Sequence, residues 1–258
     1  SFESSKENTL SEDAIALFTR LNIGKIPLTS AELVKAMFLS SDNNSGIKQE
    51  KQEEISLQWD NIEKDLHSNS LWYFLTNHAN TKYQTRIDLI LDLISDKPVD
   101  NKEKYYTFFH FDTLNQNKNL IKIWKEIQHT FLILKDWYED HELYHKIGYL
   151  IASNTKSLHE IFALSKSEMD GSGITKSRFK SELDEYIRKS IIIPSNYSEL
   201  SYEKATDYTR ISKLLLLFNI ESVRQNDEQM HWFPFEKYKF QKSGKVTWSL
   251  EHIHAQQS

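Results

Sequence analysis

Glu251, His252 and His254 stand together in Trp248-Ser249-Leu250-Glu251-His252-Ile253-His254. Adjacent carboxylate and imidazole groups suit metal-assisted hydrolysis, because one holds or orients a cation while the other takes a proton from water. Val246, Trp248 and Leu250 alternate with Thr247, Ser249 and Glu251, which predicts a strand. Neighbours on a strand point to opposite faces, so His252 and His254 share a face, and Glu251 joins them at one centre only where the strand ends or bends. A metal centre draws ligands from more than one element, so Glu251 would be one ligand of an incomplete site. The same residues also fit a polar strand end carrying surface histidines.

A second constellation is His141-Glu142-Leu143-Tyr144-His145. Two imidazoles one helical turn apart with a glutamate between them form the zinc-peptidase pattern, in which the glutamate acts as base. Lys146-Ile147-Gly148 continues as a metzincin would, but Ile151 stands where the third histidine falls, leaving His159 or Glu160 on a following helix as the remaining third ligands. Packing explains these residues as well: Leu143, Ile147, Leu150 and Ile151 make the apolar face of a helix, with Tyr144 and His145 at core-like positions. Asp170-Gly171-Ser172-Gly173 lacks the acidic ladder and closing glutamate of a calcium loop, and a helix capped by Thr175 or Ser177 accounts for it. Lys237, Lys239, Lys242 and Lys245, interleaved with Tyr238, Phe240 and Trp248, have the composition of a patch that holds a DNA backbone, or of a solvated hairpin. Lys176, Arg178, Lys180, Arg188 and Lys189 form a second basic run.

The elements that must position these groups are mostly helices. Thr29 and Glu32 make a capping-box pattern ahead of Leu33, Val34, Met37 and Phe38. Residues 14–21, 47–66, 86–94, 120–138, 143–152, 158–164, 178–187 and 208–223 all carry apolar residues at helical spacing. Residues 165–175 and 194–200 read as linkers. Near Gln225 the texture changes, and 237–240 and 245–250 around Gln241-Lys242-Ser243-Gly244 predict a β-hairpin. The expected fold is mainly α, a multi-helix bundle-like domain with a short β-hairpin near the C-terminus. Its helical middle spans 29–230, between a segment 1–28 and a segment 231–258 that belong to neighbouring domains.

Composition narrows the chemistry. With 258 residues, 39% of them hydrophobic, the chain can bury a sizeable core, and only six Gly and four Pro disfavour a many-turned β fold. A net charge of -5 gives no overall basic footprint, so any DNA contact must be local. The absence of cysteine excludes disulfides, thiol nucleophiles and thiolate-bound zinc, and is compatible with a cytoplasmic location. Apolar runs such as 214–218 fall far short of the roughly 20 residues of a membrane-spanning helix, so no membrane partner is expected.

Several segments resemble the GmrSD family of modification-dependent (type IV) restriction endonucleases. Residues 17–29, Leu-Phe-Thr-Arg-Leu-Asn-Ile-Gly-Lys-Ile-Pro-Leu-Thr, with Ala31-Glu32-Leu33-Val34-Lys35-Ala36, are similar to the end of that family's ParB-like nucleotide-binding domain and the helix after it. Tyr83-Gln84-Thr85-Arg86-Ile87 and Leu143-Tyr144-His145-Lys146-Ile147-Gly148-Tyr149-Leu150 resemble its middle region. Phe233-Pro234-Phe235-Glu236-Lys237-Tyr238 and residues 248–254 resemble the opening of its HNH-type nuclease domain. The resemblance implies a Mg²⁺-dependent nuclease acting on DNA, with modified DNA as a candidate substrate, under control of a nucleoside triphosphate. It implies Glu251 on the metal side and His252 as general base. The family's Asp-Gly-Gln-Gln-Arg signature does not occur in the chain, and the Asn-Leu block that completes an HNH site is expected after Ser258. The expectation is therefore a piece that does not cut DNA by itself, with a zinc peptidase using His141, Glu142 and His145, or an interaction scaffold, as the alternatives.

Overall fold

A computed structural model describes residues 28–40, 47–77, 83–98, 100–117, 120–166, 173–192, 196–197, 200–201, 203–225 and 231–239. Eleven helices occur among them: α1 (Ser30–Leu39), α2 (Gln49–Leu66), α3 (Asn69–Leu75), α4 (Asp88–Ile94), α5 (Tyr106–Asn117), α6 (Leu120–Glu139), α7 (His141–Ala152), α8 (Leu158–Ser165), α9 (Lys176–Ile191), α10 (Ala205–Arg224) and α11 (Phe235–Lys239). The protein is mainly helical, as expected. No strand occurs among the described residues, and none of their helices is long and apolar enough to cross a membrane.

The described residues divide into two compact units, one of 28–67 with 83–133 and one of 68–77 with 134–239. Sequence alone suggested a division at 231. Phe233 and Phe235, just beyond that position, are buried within the second unit.

In the first unit, α1 begins where the capping box predicted: Thr29 N–H donates to Glu32 Oε2 at 2.7 Å and Glu32 N–H to Thr29 Oγ1 at 3.1 Å. α1 packs on α2, α4 and α5, burying Leu33, Val34, Met37 and Phe38. Trp124 of α6 fills the centre, its ring centroid 5.8 Å from Phe38 and 6.1 Å from Trp59. Burial of an indole demands a partner for its N–H, and Gln58 Oε1 accepts that bond at 2.9 Å. Arg86 donates to the Leu66 carbonyl at 2.8 Å, satisfying an otherwise open acceptor at the end of α2. Asp88 accepts from Ala31 N–H at 3.1 Å and from the Thr85 hydroxyl at 2.7 Å, placing a carboxylate at the positive end of α1.

The second unit is built on α7, which packs against α3, α9, α10 and α11. Trp137 of α6 stacks on Phe179 of α9 at 5.3 Å and meets the edge of Phe162 of α8 at 6.3 Å. Thr175 caps α9 by accepting from Arg178 N–H, as the loop reading anticipated. α8 carries a capping box of its own, between Ser157 and Glu160.

One expectation is corrected here. Residues 237–239, read as part of the first strand of a hairpin, belong to helix α11. Pro234 cannot donate into a sheet ladder but readily precedes a helix, and Tyr238 N–H donates to its carbonyl at 3.0 Å in the helical i to i-4 pattern. Glu236 lies in the first turn and Lys237 and Lys239 in the last, an order that complements the helix dipole. The expected second strand, 245–250, lies outside the described residues, as does the predicted helix at 14–21.

Candidate functional site

Three side chains of α7 converge on the backbone of residues 231–233. Asp140 starts the helix by accepting from Glu142 N–H at 3.0 Å and Leu143 N–H at 2.9 Å. One turn then carries His141, Tyr144 and His145 at i, i+3 and i+4, and so on one face. His141 Nε2 lies 2.9 Å from the His231 carbonyl, so that nitrogen carries the proton. The Tyr144 hydroxyl donates to the Phe233 carbonyl at 2.7 Å. His145 Nδ1 lies 2.6 Å from the His141 carbonyl and donates, which leaves the Nε2 lone pair to accept Phe233 N–H at 3.2 Å. Gly148 completes the face: a Cβ there would lie 2.1 Å from Phe235 Cε2, so only glycine leaves room for that ring.

Electrostatics fix the protonation of these groups. Burial lowers the His145 imidazole to about 4 and raises the Tyr144 phenol, keeping both neutral. Trp232 lies over the cluster, with centroids 4.8 Å from Tyr144 and 5.3 Å from His141, yet remains 41% exposed. Lys239 of α11 sends its ammonium inward, to the Tyr73 carbonyl at 2.5 Å and the Thr76 carbonyl at 3.5 Å at the end of α3. Burial pushes that ammonium down to about 7, against the pull of the two carbonyl oxygens.

These contacts explain the zinc-peptidase pattern differently. A zinc-bound histidine needs a free nitrogen lone pair, and that of His145 is taken by Phe233. Glu142 pairs with Lys146 at 2.7 Å and Lys180 at 2.5 Å, whose hydrogen bonds hold its carboxyl below the ordinary range. Glu160 is engaged by Ser157 and by Lys156 at 2.7 Å, and His159 sits on α8. Among the described residues, no group of three or more His, Asp or Glu side chains is placed to hold a metal ion. His141, Glu142 and His145 thus serve to clamp a neighbouring segment and a neighbouring helix.

The basic residues are also redistributed. Lys237 is exposed, whereas Lys239, expected on a DNA-facing surface, points into the unit. Its backbone is helical rather than extended, which turns it to the α3 end. Lys242, Lys245, Glu251, His252 and His254 lie outside the described residues. Four residues of the second basic run meet carboxylates: Lys176 meets Asp140 at 3.0 Å, Lys180 meets Glu142, and Arg188 and Lys189 meet Glu185 at 2.7 and 3.4 Å. Such half-exposed pairs contribute little stability, but they compensate the charge that a phosphate would need.

Sequence reasoning placed Tyr144 and His145 in a packed helix face without finding what they hold. The available signal was the Phe-Pro-Phe segment, whose proline and paired rings suit an extended stretch laid on an aromatic surface. No family model, curated protein or solved structure matches the chain.

Proposed function

We propose that the chain is the helical middle region of a GmrSD-like DNA restriction nuclease, coupling nucleotide sensing to Mg²⁺-dependent DNA cleavage. The observation that carries this reading is that the resembling segments, far apart in sequence, meet in pairs. In the first unit, Asp88, one residue past the segment 83–87, accepts from Ala31 at the head of the segment 31–36 and from Thr85. In the second unit, segment 143–150 holds segment 233–238 through Tyr144, His145 and Gly148. A resemblance arising by chance would scatter its matching residues, whereas one reflecting shared folding should concentrate them at packing contacts.

On this reading Glu251 is the metal-side residue and His252 the general base, with His254 a further residue of the same site. Lys237, Lys242 and Lys245 would contact the DNA backbone, and Lys239 would not. The test is cleavage of modified duplex DNA by the protein that carries this chain, with Mg²⁺ and a nucleoside triphosphate. Activity is expected, and His252→Ala should abolish it while the protein stays folded. Absence of cleavage overturns the reading, and undiminished cleavage by the variant overturns the assigned base.

A further inference from the structure

Residues 231–234 have no regular secondary structure, yet their backbone is bonded. Besides the local bonds of Phe235 N–H to the 233 carbonyl and Tyr238 N–H to the 234 carbonyl, the partners are side chains of a single helix face: His141 to the 231 carbonyl, Tyr144 to the 233 carbonyl, His145 to the 233 N–H. What α7 reads is therefore main chain at two alternate positions, followed by an aromatic ring two residues further on, received at Gly148. That is the recognition mode of a peptide-binding surface, with backbone groups bonded and one side-chain pocket for selectivity.

We propose that the α7 face of His141, Tyr144, His145 and Gly148 is a peptide-docking site, that its resident ligand is the chain's own segment 231–235, and that this segment docks and undocks while α7 remains folded. Two further observations support a ligand rather than a core strand. The segment buries its two phenylalanines, whereas the side chains between and before them look outward, Pro234 being exposed and Trp232 41% exposed. α7 is meanwhile held by partners that do not involve the segment: its Asp140 cap, the α9 contacts through Lys146–Asp184 at 2.7 Å, and the Tyr149–Ser190 bond at 2.7 Å. Undocking would also free α11, whose Lys239 ties it to the end of α3. Residues 240–258, which include Glu251 and His252, follow directly in the sequence; any link from docking to cleavage rests on the nuclease reading, whereas docking is measured without DNA.

Hydrogen exchange on the full chain tests the idea first. Amides of 231–239 should exchange by a local opening, roughly tenfold or more faster than the slowest α7 amides. Exchange of both in one common event would overturn it. The second arm adds a fluorescein-labelled peptide of sequence 231–239 to the full-length Phe233→Ala, Phe235→Ala variant. Saturable binding is expected, at least about tenfold weaker to the unsubstituted chain, whose own segment competes. The same peptide with both phenylalanines replaced by alanine should not bind. No binding, equal binding to both chains, or loss of α7 protection in the variant would each show that the segment is an integral part of the core.

Discussion

Titrating His145 offers a direct measure of how the second unit is held. His145 is 1% exposed, and its bond from Phe233 needs the neutral form, because a protonated Nε2 would set N–H against the N–H of Phe233, whereas the Nδ1–H bond to the His141 carbonyl survives protonation. Burial is the main cause that lowers its pKa from 6.5 to about 4; His141 and Arg224 push the same way, while the bond to the His141 carbonyl and the charge of Glu221 oppose it. Above pH 6.5 the ring is neutral whether the unit is folded or unfolded, and its contribution is complete. As pH falls from 6.5 to 4 only the unfolded chain takes up the proton, and the gap of about 2.5 pH units at about 1.36 kcal/mol each removes roughly 3 kcal/mol. Asp140, Glu142 and Glu221, held below the ordinary carboxylate range, add their own losses only further down. The informative window is therefore pH 6.5 to 5, where about 2 kcal/mol should be lost. Stability would be read from α7 amide exchange in urea, corrected for the intrinsic pH dependence of exchange. His145→Gln, whose amide can donate and accept but does not titrate, should be less stable at pH 7 and flat across the window. A flat wild-type profile, or a slope that persists in His145→Gln, would refute the assignment.

Gly148→Ala should cost the second unit about 1–3 kcal/mol, because the new methyl meets the Phe235 ring. In a Phe235→Ala background the same change should become neutral or stabilising by up to about 1 kcal/mol, alanine being the better helix former, and urea midpoints of the four proteins decide this. The first unit should respond to acid in the opposite sense. Burial raises the Asp88 carboxyl to about 6, so its charge costs stability above that pH, and acidification from 6 to 4 should return up to about 3 kcal/mol. Asp88→Asn should remove that gain, as amide exchange in α1 would show.

Long amphipathic helices were legible because their burial is one-sided. The stripes on α1, α2, α6 and α7 correspond to residues that are buried, such as Leu33, Trp59, Ile127 and Ile147. α3 and α5 escaped notice for physical reasons. In α3 every residue from Leu71 to Leu75 is buried, so no polar face marks its period. α5 opens Tyr106-Thr107-Phe108-Phe109, whose aromatic and β-branched residues carry strand propensity. Lys237 to Lys239 alternate polar and aromatic in a stretch too short to separate a period of 2 from one of 3.6, and Pro234 was the cue that favoured a helix. The Tyr144 and His145 contacts were invisible locally because their partners lie almost ninety positions away, as the 89- and 88-residue separations of those bonds record.

The chain crosses between its two units more than once: 68–77 leave the first before 83–133 return to it, and α6 passes from one unit to the other without a break in its helix. Neither unit is thus a contiguous stretch that a single exon, expression clone or recombination event could carry off whole. A protease nick at any of the three crossings would leave at least one unit assembled from two polypeptides, so separation would follow denaturation rather than cleavage. Inheritance of the described residues should accordingly be all or none, with insertions tolerated in their loops and fusions only outside them.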